Sequence, residues 1–343
     1  MKKFFLIAAA AAMVLSSCSK NVVSEDTSDS NAINFGTYSG RSVTKAGTEF
    51  AKTTALPANT SFGVYAYAAT ADLTATSFLA NFMKNVSVKY DGVSAIDTTS
   101  YKYIGTKYWP KANGIKLSFF AYYPVATATN GIVPSENGLG AFTFTAAPAV
   151  GSQVDFMVSD VKNDMIYDDT NKGIVDLLFH HTLCQVNVQT KLDQNVSGIN
   201  VTVGSVQFNG VSTSGTFTPT YDPTTHKTKI DATDWSSVGT EKDIPFVIPT
   251  PVTVTADGWS TFGDGNTLLV VPQTLVAGSD LITVKYYING IENTATVKLP
   301  ADTTWEPGKK YSYNITIHLF YSSEDPESDK YKVQFTAGVV DWV

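Results

Sequence analysis

The chain has 343 residues, of which 43% are hydrophobic and only 16% are charged. Its 24 basic and 31 acidic residues give a formal net charge of −7, and they form no basic block that could grip nucleic-acid phosphates. The many Tyr, Phe, Val and Thr residues suit half-buried pleated strands, and no long helical pattern follows residue 18. Composition therefore predicts an all-β protein and argues against a nucleic-acid partner.

The first 17 residues have the pattern of a lipoprotein export signal. Lys2 and Lys3 form a positive start, and residues 4–15 form an apolar run that is too short to span a bilayer as a helix. The sequence Leu-Ser-Ser-Cys that follows has the form of a lipobox, which is cut before its cysteine. It predicts a removable signal over 1–17 and lipid attachment at Cys18. The alternative is an ordinary secretory peptide with a coincidental cysteine.

Residues 18–41 are predicted to form a lipidated tether and a removable strand. The tether is polar and acidic, which is typical of a flexible segment. Ile33 and Phe35 then flank one polar residue, as on the apolar face of a short strand. Arg41, the only arginine of the chain, follows in a Gly/Ser-rich stretch. One arginine-specific cut between Arg41 and Ser42 would release both the strand and the lipid.

Short alternating strands from Ser61 onwards predict two β-sandwiches in tandem. A polar stretch at 191–200 precedes a new alternating set and marks the predicted boundary. The predicted domains are therefore an N-terminal sandwich over 42–190 and a C-terminal sandwich over 191–321.

A hairpin is predicted in the second sandwich. Apolar runs at 281–288 and 294–299 flank the dipeptide Asn289-Gly290. Asn-Gly is the strongest short hairpin signal, because both residues tolerate the positive φ of a type I′ turn. The second strand is expected to begin only after residue 293.

Residues 322–343 are predicted to be a linker and a separate tail strand. Positions 322–330 are acidic and contain a proline, so they suit a linker. Alternate residues of the tail then fall on one face of an extended strand: Tyr331, Val333, Phe335, Ala337 and Val339. Because the alternating run at 311–319 already suits the last strand of the sandwich, the tail strand suggests a use outside its own domain.

The strand at 33–35 and the tail at 333–335 have the same order of residue types. Each has a β-branched residue, an amide residue and a phenylalanine, and a flexible segment separates each from the folded body. Each could therefore fill the same groove in a sandwich that lacks one strand. If the first strand is removed, the tail of another copy can replace it, which is polymerisation by strand donation.

With these features the chain resembles the fimbrillin family of Bacteroidales, the lipoprotein precursors of type V pili. The resemblance covers nearly the whole chain and includes the lipobox and the basic site after the first strand. It also rests on four further segments, at 61–67 (SFGVYAY), 108–110 (YWP), 117–124 (LSFFAYYP) and 179–183 (FHHTL).

The resemblance implies two transthyretin-like, Greek-key β-sandwich domains and export to the outer membrane and cell surface. It also implies removal of the first strand, with the cut at Arg41 and with Lys45 as the second candidate. The implied partners are other copies of the chain or related fimbrial subunits, which assemble through the tail strand, and the ligand on a host or bacterial surface is open. The tail favours a stalk subunit, whereas a tip or anchor subunit is the alternative.

No residue set predicts catalysis or a cofactor, and a structural protein is expected rather than an enzyme. His180 and His181 are adjacent, so on a strand they face opposite sides and cannot chelate one metal together. An acidic cluster could bind calcium, but its spacing does not fit an EF-hand and suits turns better, so no metal site is expected. Its members are Asp164, Asp168, Asp169 and Asn171, followed by Gly173.

A surface glycan-binding lipoprotein is the alternative from another functional class. Tryptophans can provide stacking platforms for sugars, although most tryptophans pack in cores. The five tryptophans are Trp109, Trp235, Trp259, Trp305 and Trp342. This alternative predicts a monomer that stays on the cell, whereas the pilus hypothesis predicts release from the lipid and a ladder of polymers.

Overall fold

The computed structural model describes most of the chain from residue 31 onwards. The described residues are 31–39, 56–91, 101–136, 138–167, 173–236, 238–239, 241–246, 248, 250–262, 267–319 and 332–341. Positions 38–39 and 332–341 are described by their backbone alone.

Regular structure in the described residues is almost entirely β. The first strands are β1 Asn34–Ser39, β2 Thr60–Ala69, β3 Phe78–Leu79, β4 Met83–Tyr90, β5 Tyr101–Lys102, β6 Lys116–Tyr123, β7 Ile132–Val133, β8 Gly138–Leu139, β9 Phe142–Thr145, β10 Met157–Ser159, β11 Lys162–Met165, β12 Ile174–His181, β13 Cys184–Leu192 and β14 Val201–Ser212. The others are β15 Ser214–Phe217, β16 Thr220–Asp222, β17 Lys227–Lys229, β18 Trp235–Ser236, β19 Glu241–Phe246, β20 Val252–Thr253, β21 Ser260–Thr261, β22 Leu268–Val270, β23 Gln273–Leu275, β24 Asp280–Ile288, β25 Ile291–Lys298, β26 Thr303–Trp305, β27 Lys309–His318 and β28 Lys332–Asp341. Two short 3-10 turns lie at Val150–Ser152 and Ala232–Asp234. No helix in the described ranges is long and apolar enough to cross a bilayer. The predicted all-β class is confirmed.

The first sheet is buried on both faces, with β6 near its centre. Its eight strands run in the order β1-β12-β10-β6-β2-β4-β5, and β11 also pairs with β6. Phe119 and Ala121 of β6 pack into the hydrophobic cluster on one face, whereas Phe120 and Tyr122 pack into the cluster on the other. The second cluster also contains Phe142 from the facing four-stranded sheet, β18-β15-β9-β7. This double burial explains why β6 is aromatic on both faces.

A second pair of sheets encloses a separate hydrophobic cluster. One has the order β21-β13-β27-β28 with β22 also on β13, and the other has the order β19-β14-β24-β25 with β20 also on β14. The ring of Phe208 lies 6.1 Å from that of Trp305 and 5.9 Å from that of Tyr313. The Trp305 indole N–H donates to the Tyr313 hydroxyl at 2.9 Å, so these two buried polar groups are paired with each other.

The predicted boundary at 190/191 lies within β13. This strand pairs in parallel with β27, and its inward residues belong to the second pair of sheets. Beyond the boundary, β15 pairs with β9 of the first part of the chain. The two parts are therefore linked by strand pairing across the predicted boundary, and the division into domains at 42–190 and 191–321 stays a prediction.

The predicted hairpin joins β24 to β25 through a two-residue turn. Asn289 has a φ of 49° and Gly290 has a φ of 84°, as a type I′ turn requires. The turn is thus confirmed, but the expected start of the second strand is wrong, since β25 begins directly at Ile291. Ile288 pairs with Ile291 across the turn, so the tight turn leaves no residues between itself and the strand.

Candidate functional site: the groove that holds the first strand

The first strand, β1, forms one edge of the eight-stranded sheet. It runs parallel to β12, with Asn34 opposite Ile174 and Ser39 opposite Phe179. The Asn34 backbone N–H also donates to the Gly173 carbonyl at 3.2 Å, just before β12 begins. One side of β1 is therefore held by an ordinary strand ladder.

The other side of β1 is held by residues 101–109. The Ile33 N–H donates to the Lys107 carbonyl at 2.9 Å, and the Tyr103 hydroxyl donates to the Ile33 carbonyl at 2.9 Å. Further along, the Thr37 N–H donates to the Tyr101 hydroxyl at 3.1 Å. Tyr101 lies in β5, the edge strand at the opposite end of the same sheet. The sheet therefore curves until β5 comes close to β1. We call the cleft between β12 and residues 101–109 the first-strand groove.

The floor of the groove is an aromatic pocket for Phe35. The ring of Phe35 is fully buried and meets three other rings edge-on, with centroid distances of 6.0 Å to Phe62, 5.8 Å to Tyr103 and 6.3 Å to Phe119. Ile33 is fully buried beside it. Each of the two side chains contributes about 1.5–3 kcal/mol through burial. The groove thus selects an extended segment with apolar residues at alternate positions.

Thr37 adds a polar contact within this apolar setting. Its side-chain oxygen lies 2.9 Å from the Tyr101 hydroxyl oxygen, and only 1% of Thr37 and 6% of Tyr101 is exposed. Burial raises the pKa of Tyr101, and the hydrogen bonds with Thr37 oppose part of that rise. Burial likewise raises the pKa of Tyr103. Both hydroxyls therefore stay protonated near neutral pH and act as hydrogen-bonding groups.

Trp109 and Gly173 fix the entrance of the groove. The Trp109 indole N–H donates to the Gly173 carbonyl at 3.1 Å, and the Trp109 ring packs on Phe119 at 5.8 Å. Gly173 has a φ of +69°, and a Cβ atom there would lie 2.6 Å from the Trp109 indole nitrogen. Glycine suits this position, because the backbone angle strains other residues and an added Cβ would force the indole to shift.

The tail strand, β28, lies elsewhere in the molecule and pairs with its own chain. It runs antiparallel to β27, with Val333 opposite Ile317, Phe335 opposite Ile315, Ala337 opposite Tyr313 and Val339 opposite Tyr311. These four β27 residues are buried. The extended conformation predicted for the tail is thus present over Lys332–Asp341. Its pairing with β27 was not predicted, and its donor role stays a prediction.

Several predicted site residues lie outside the described residues. They are the lipidation site Cys18, the cleavage residues Arg41 and Ser42 with the second candidate Lys45, the tail residue Tyr331, the calcium candidates Asp168, Asp169 and Asn171, and Trp342. Their predicted roles stay predictions.

The two adjacent histidines have separate partners. His180 Nε2 lies 3.1 Å from Asp160 Oδ2, and His181 Nδ1 lies 2.8 Å from Asp155 Oδ2. Asp164 of the acidic cluster accepts the Leu73 N–H at 2.8 Å through Oδ1. The described part of the chain contains no group of three His, Cys, Asp or Glu residues placed to hold a metal.

Three of the tryptophans, Trp109, Trp235 and Trp305, are buried in the clusters described above. Trp259 is 39% exposed, and the Lys191 ammonium lies 4.7 Å from its ring centroid. Trp259 is therefore the described tryptophan that a surface ligand could reach.

The sequence did not predict that Tyr101, Tyr103, Trp109 and Gly173 line a groove; Trp109 was considered as a sugar platform and Gly173 only as the end of the acidic cluster. The alternation of Tyr101 and Tyr103 does place both rings on one side of an extended segment, which is a signal for paired hydroxyls. Their partners lie 64 and 70 residues earlier, however, and no local pattern links positions so far apart.

The comparisons with known proteins agree with this architecture. The model of a family described as fimbrillin-like matches residues 44–342. The crystal structure of a fimbrial protein from Bacteroides vulgatus has a TM-score of 0.64 at 20% identity and covers 91% of this chain and 100% of that chain. The structure of a proposed cell adhesion protein from Bacteroides ovatus has a TM-score of 0.55 at 16% identity, with coverages of 91% and 98%. No curated protein matches the chain. Both structures have the same fold as this chain. Because the family model spans most of the sequence, the chain belongs to the fimbrillin-like family.

Proposed function

We propose that this chain is a structural subunit of a cell-surface pilus that supports adhesion. In this proposal it is exported as an outer-membrane lipoprotein, loses its first strand by proteolysis and assembles with other subunits by strand donation. Its partners are copies of itself or related fimbrial subunits. Membership of the fimbrillin-like family and the fold shared with a fimbrial protein support the structural role.

The observation that carries the proposal is the position of β1. It is an edge strand whose ladder and side-chain contacts come from distant parts of the chain, and Arg41 follows its last residue, Ser39, by two positions. A cut at Arg41 would therefore detach β1 covalently and would lie outside every strand of the described residues. The segment that carries Cys18 would leave with it, which would free the subunit from its lipid.

The tail is the proposed donor strand. Its apolar positions match the spacing of Ile33 and Phe35, and four large side chains such as Phe335 would contribute on the order of 8 kcal/mol in a groove, before ordering costs. In this structure the tail pairs with β27, so donation requires it to leave that strand. The ladder hydrogen bonds lost there would be replaced by those of the vacated groove.

The proposal assigns each segment a role. Residues 1–17 are the export signal, 18–41 the lipidated tether with the removable strand, and 322–343 the linker with the donor strand. The intervening 42–190 and 191–321 are the two sandwich domains.

A glycan-binding surface lipoprotein is the second candidate. The exposure of Trp259 beside Lys191 favours it, since an accessible indole face can stack on a sugar. In that case the protein would remain a lipid-anchored monomer. A tip or anchor subunit, which assembles at one end only, is an intermediate possibility.

The test uses purified precursor and an arginine-specific protease. The proposal expects a single cut, a mature chain that starts at Ser42, and ladders of polymers in unboiled gels and by size-exclusion chromatography. The Arg41→Ala variant should remain a monomer, whereas Lys45→Ala should assemble like the wild type. N-terminal sequencing of filament subunits from cells should give the same start, and a start at Cys18 would refute the processing step.

A further inference from the structure

Most of the polar contacts made by the described groove residues involve the backbone of the inserted strand. Tyr103 donates to the Ile33 carbonyl, and the Lys107 carbonyl accepts the Ile33 N–H. The ladder with β12 is also made of backbone groups. Any strand in the same register could supply these backbone groups, so these contacts do not depend on the side chains of the strand.

The Tyr101 contact differs, because it includes a side chain of the strand. The Tyr101 hydroxyl accepts the Thr37 N–H at 3.1 Å, and its oxygen also lies 2.9 Å from the Thr37 side-chain oxygen. With the backbone N–H as donor to Tyr101, the Tyr101 hydroxyl and the Thr37 hydroxyl share a second hydrogen bond at 2.9 Å. Both residues are almost completely buried, so water cannot readily replace that oxygen.

The tail of this chain cannot supply the same oxygen. When Phe335 takes the place of Phe35, Ala337 takes the place of Thr37. The other tail aromatics do not help, because no Ser or Thr lies two residues from Tyr331 or Trp342 in either direction. A donated tail would keep the backbone contact to Tyr101 and lose the side-chain contact.

We propose that Tyr101 is a specificity-determining residue of the first-strand groove, which favours an inserted strand with Thr or Ser two residues after its aromatic residue. This inference rests on the strand exchange proposed above. The resident strand satisfies the rule through Thr37, whereas the tail of a second copy does not. The groove therefore binds its own first strand more tightly than the tail of a second copy, which disfavours exchange before proteolysis. The tail of a related subunit with Ser or Thr at this position would bind more tightly than the tail of this chain.

The test measures displacement of the resident strand by peptides. The precursor without its export signal (residues 19–343), labelled with a fluorophore at its N-terminus, is cut with an arginine-specific protease, and release of the labelled segment is followed as peptide is added. The four peptides are 31–39, its Thr37→Ala version, 331–343 and its Ala337→Thr version. A Thr37→Ser peptide serves as the conservative control and should behave like 31–39.

Loss of the buried hydrogen bond should change the half-displacing concentration about fivefold. The Thr37→Ala peptide should thus be about fivefold weaker than 31–39, and the Ala337→Thr peptide about fivefold stronger than the wild-type tail. Both differences should vanish in the Tyr101→Phe protein. The matched control is Tyr103→Phe, which removes a hydroxyl that contacts the strand through the Ile33 backbone carbonyl and otherwise bonds to the Lys107 backbone of the groove wall. Because neither contact involves a side chain of the strand, this substitution should weaken all peptides alike.

The inference is overturned if Thr37→Ala has no effect on the wild-type protein, or if its effect persists in Tyr101→Phe. The same experiment can also show that strand donation by the tail is wrong while the role of Tyr101 is right. If neither tail peptide displaces the segment while the 31–39 peptides still depend on Tyr101, the groove reads Thr37 as inferred, but the tail is not its donor.

Discussion

The ring of Phe35 meets the ring of Phe62 edge-on, with centroids 6.0 Å apart and planes at 86°. Phe35 belongs to β1 and Phe62 to β2, which lies three strands beyond β12 in the sheet. The contact therefore crosses the floor of the first-strand groove rather than following a ladder. It joins the strand proposed to be removed to the centre of the core that remains.

Replacing Phe35 with Ala should lower the free energy of unfolding of the precursor by about 3–5 kcal/mol, because it empties a pocket formed by three rings. Chemical denaturation followed by tryptophan fluorescence measures the change. Asn34→Ala is the matched control, since the Asn34 side chain is only half-buried and its amide donates locally to the Ala32 carbonyl. Equal effects of the two substitutions would contradict the role given to the pocket.

Gly173→Ala should destabilise the precursor by more than the ordinary cost of placing alanine at positive φ, which is about 1 kcal/mol. The added Cβ would lie 2.6 Å from the Trp109 indole nitrogen. Gly105→Ala separates the two causes, because Gly105 has a φ of +76° and open space around its Cβ position. Thermal unfolding should show a clearly larger loss for Gly173, and similar losses would mean that the indole contact yields easily.

The thiol of Cys184 should react slowly with a thiol reagent in the native protein and rapidly after unfolding. Cys184 is fully buried in β13, its thiol lies 3.1 Å from the Glu306 carbonyl, and burial raises the pKa of the thiol well above its usual value. A thiol pKa raised by folding also means that this group's contribution to stability is present below the unfolded pKa and declines as pH rises above it. Stopped-flow labelling of the Cys18→Ala variant isolates this thiol, and native and unfolded rates that agree would contradict its burial.

Phe335→Asp should prevent polymers from forming after the Arg41 cut. A carboxylate at this position would be buried in the groove without a partner, which costs several kcal/mol. Gln334→Glu adds the same charge at the neighbouring position, whose backbone lies opposite the half-buried Thr316, and it should still assemble. Ladders in unboiled gels distinguish the two variants. A Phe335→Asp protein with ladders of wild-type length would exclude the tail as donor.

Cys18→Ala should abolish incorporation of a fatty-acid analogue and leave the precursor outside the membrane fraction. The lipobox before Cys18 motivates this expectation. Ser17→Ala is a suitable control, because a small residue is retained before the cysteine. Labelling that persists in Cys18→Ala would place the lipid elsewhere or refute lipidation.

Residue patterns predicted the strands and turns themselves better than they predicted which strands pair with each other. The alternation in β27 and β28 and the Asn289-Gly290 turn each depend on a few neighbouring residues, and the structure contains the corresponding strands and turn. The pairing of β28 with β27 could not be predicted, because alternation identifies a face but not a neighbour. The same holds for Tyr101, whose hydroxyl is aligned with Thr37 only by the curvature of the whole sheet.

The parallel pairing of β1 with β12 also determines when the first strand can join the fold. Asn34 and Ile174 are about 140 residues apart in the chain, and contacts of such long range form late because of the entropy of closing the loop. Residues 101–109, which hold the other side of β1, must also be in place. The strand that is synthesised first is therefore among the last that the sheet can accept. Late docking of this strand would leave a body with an open groove during folding, which is the same state that removal of the strand would later create for a partner.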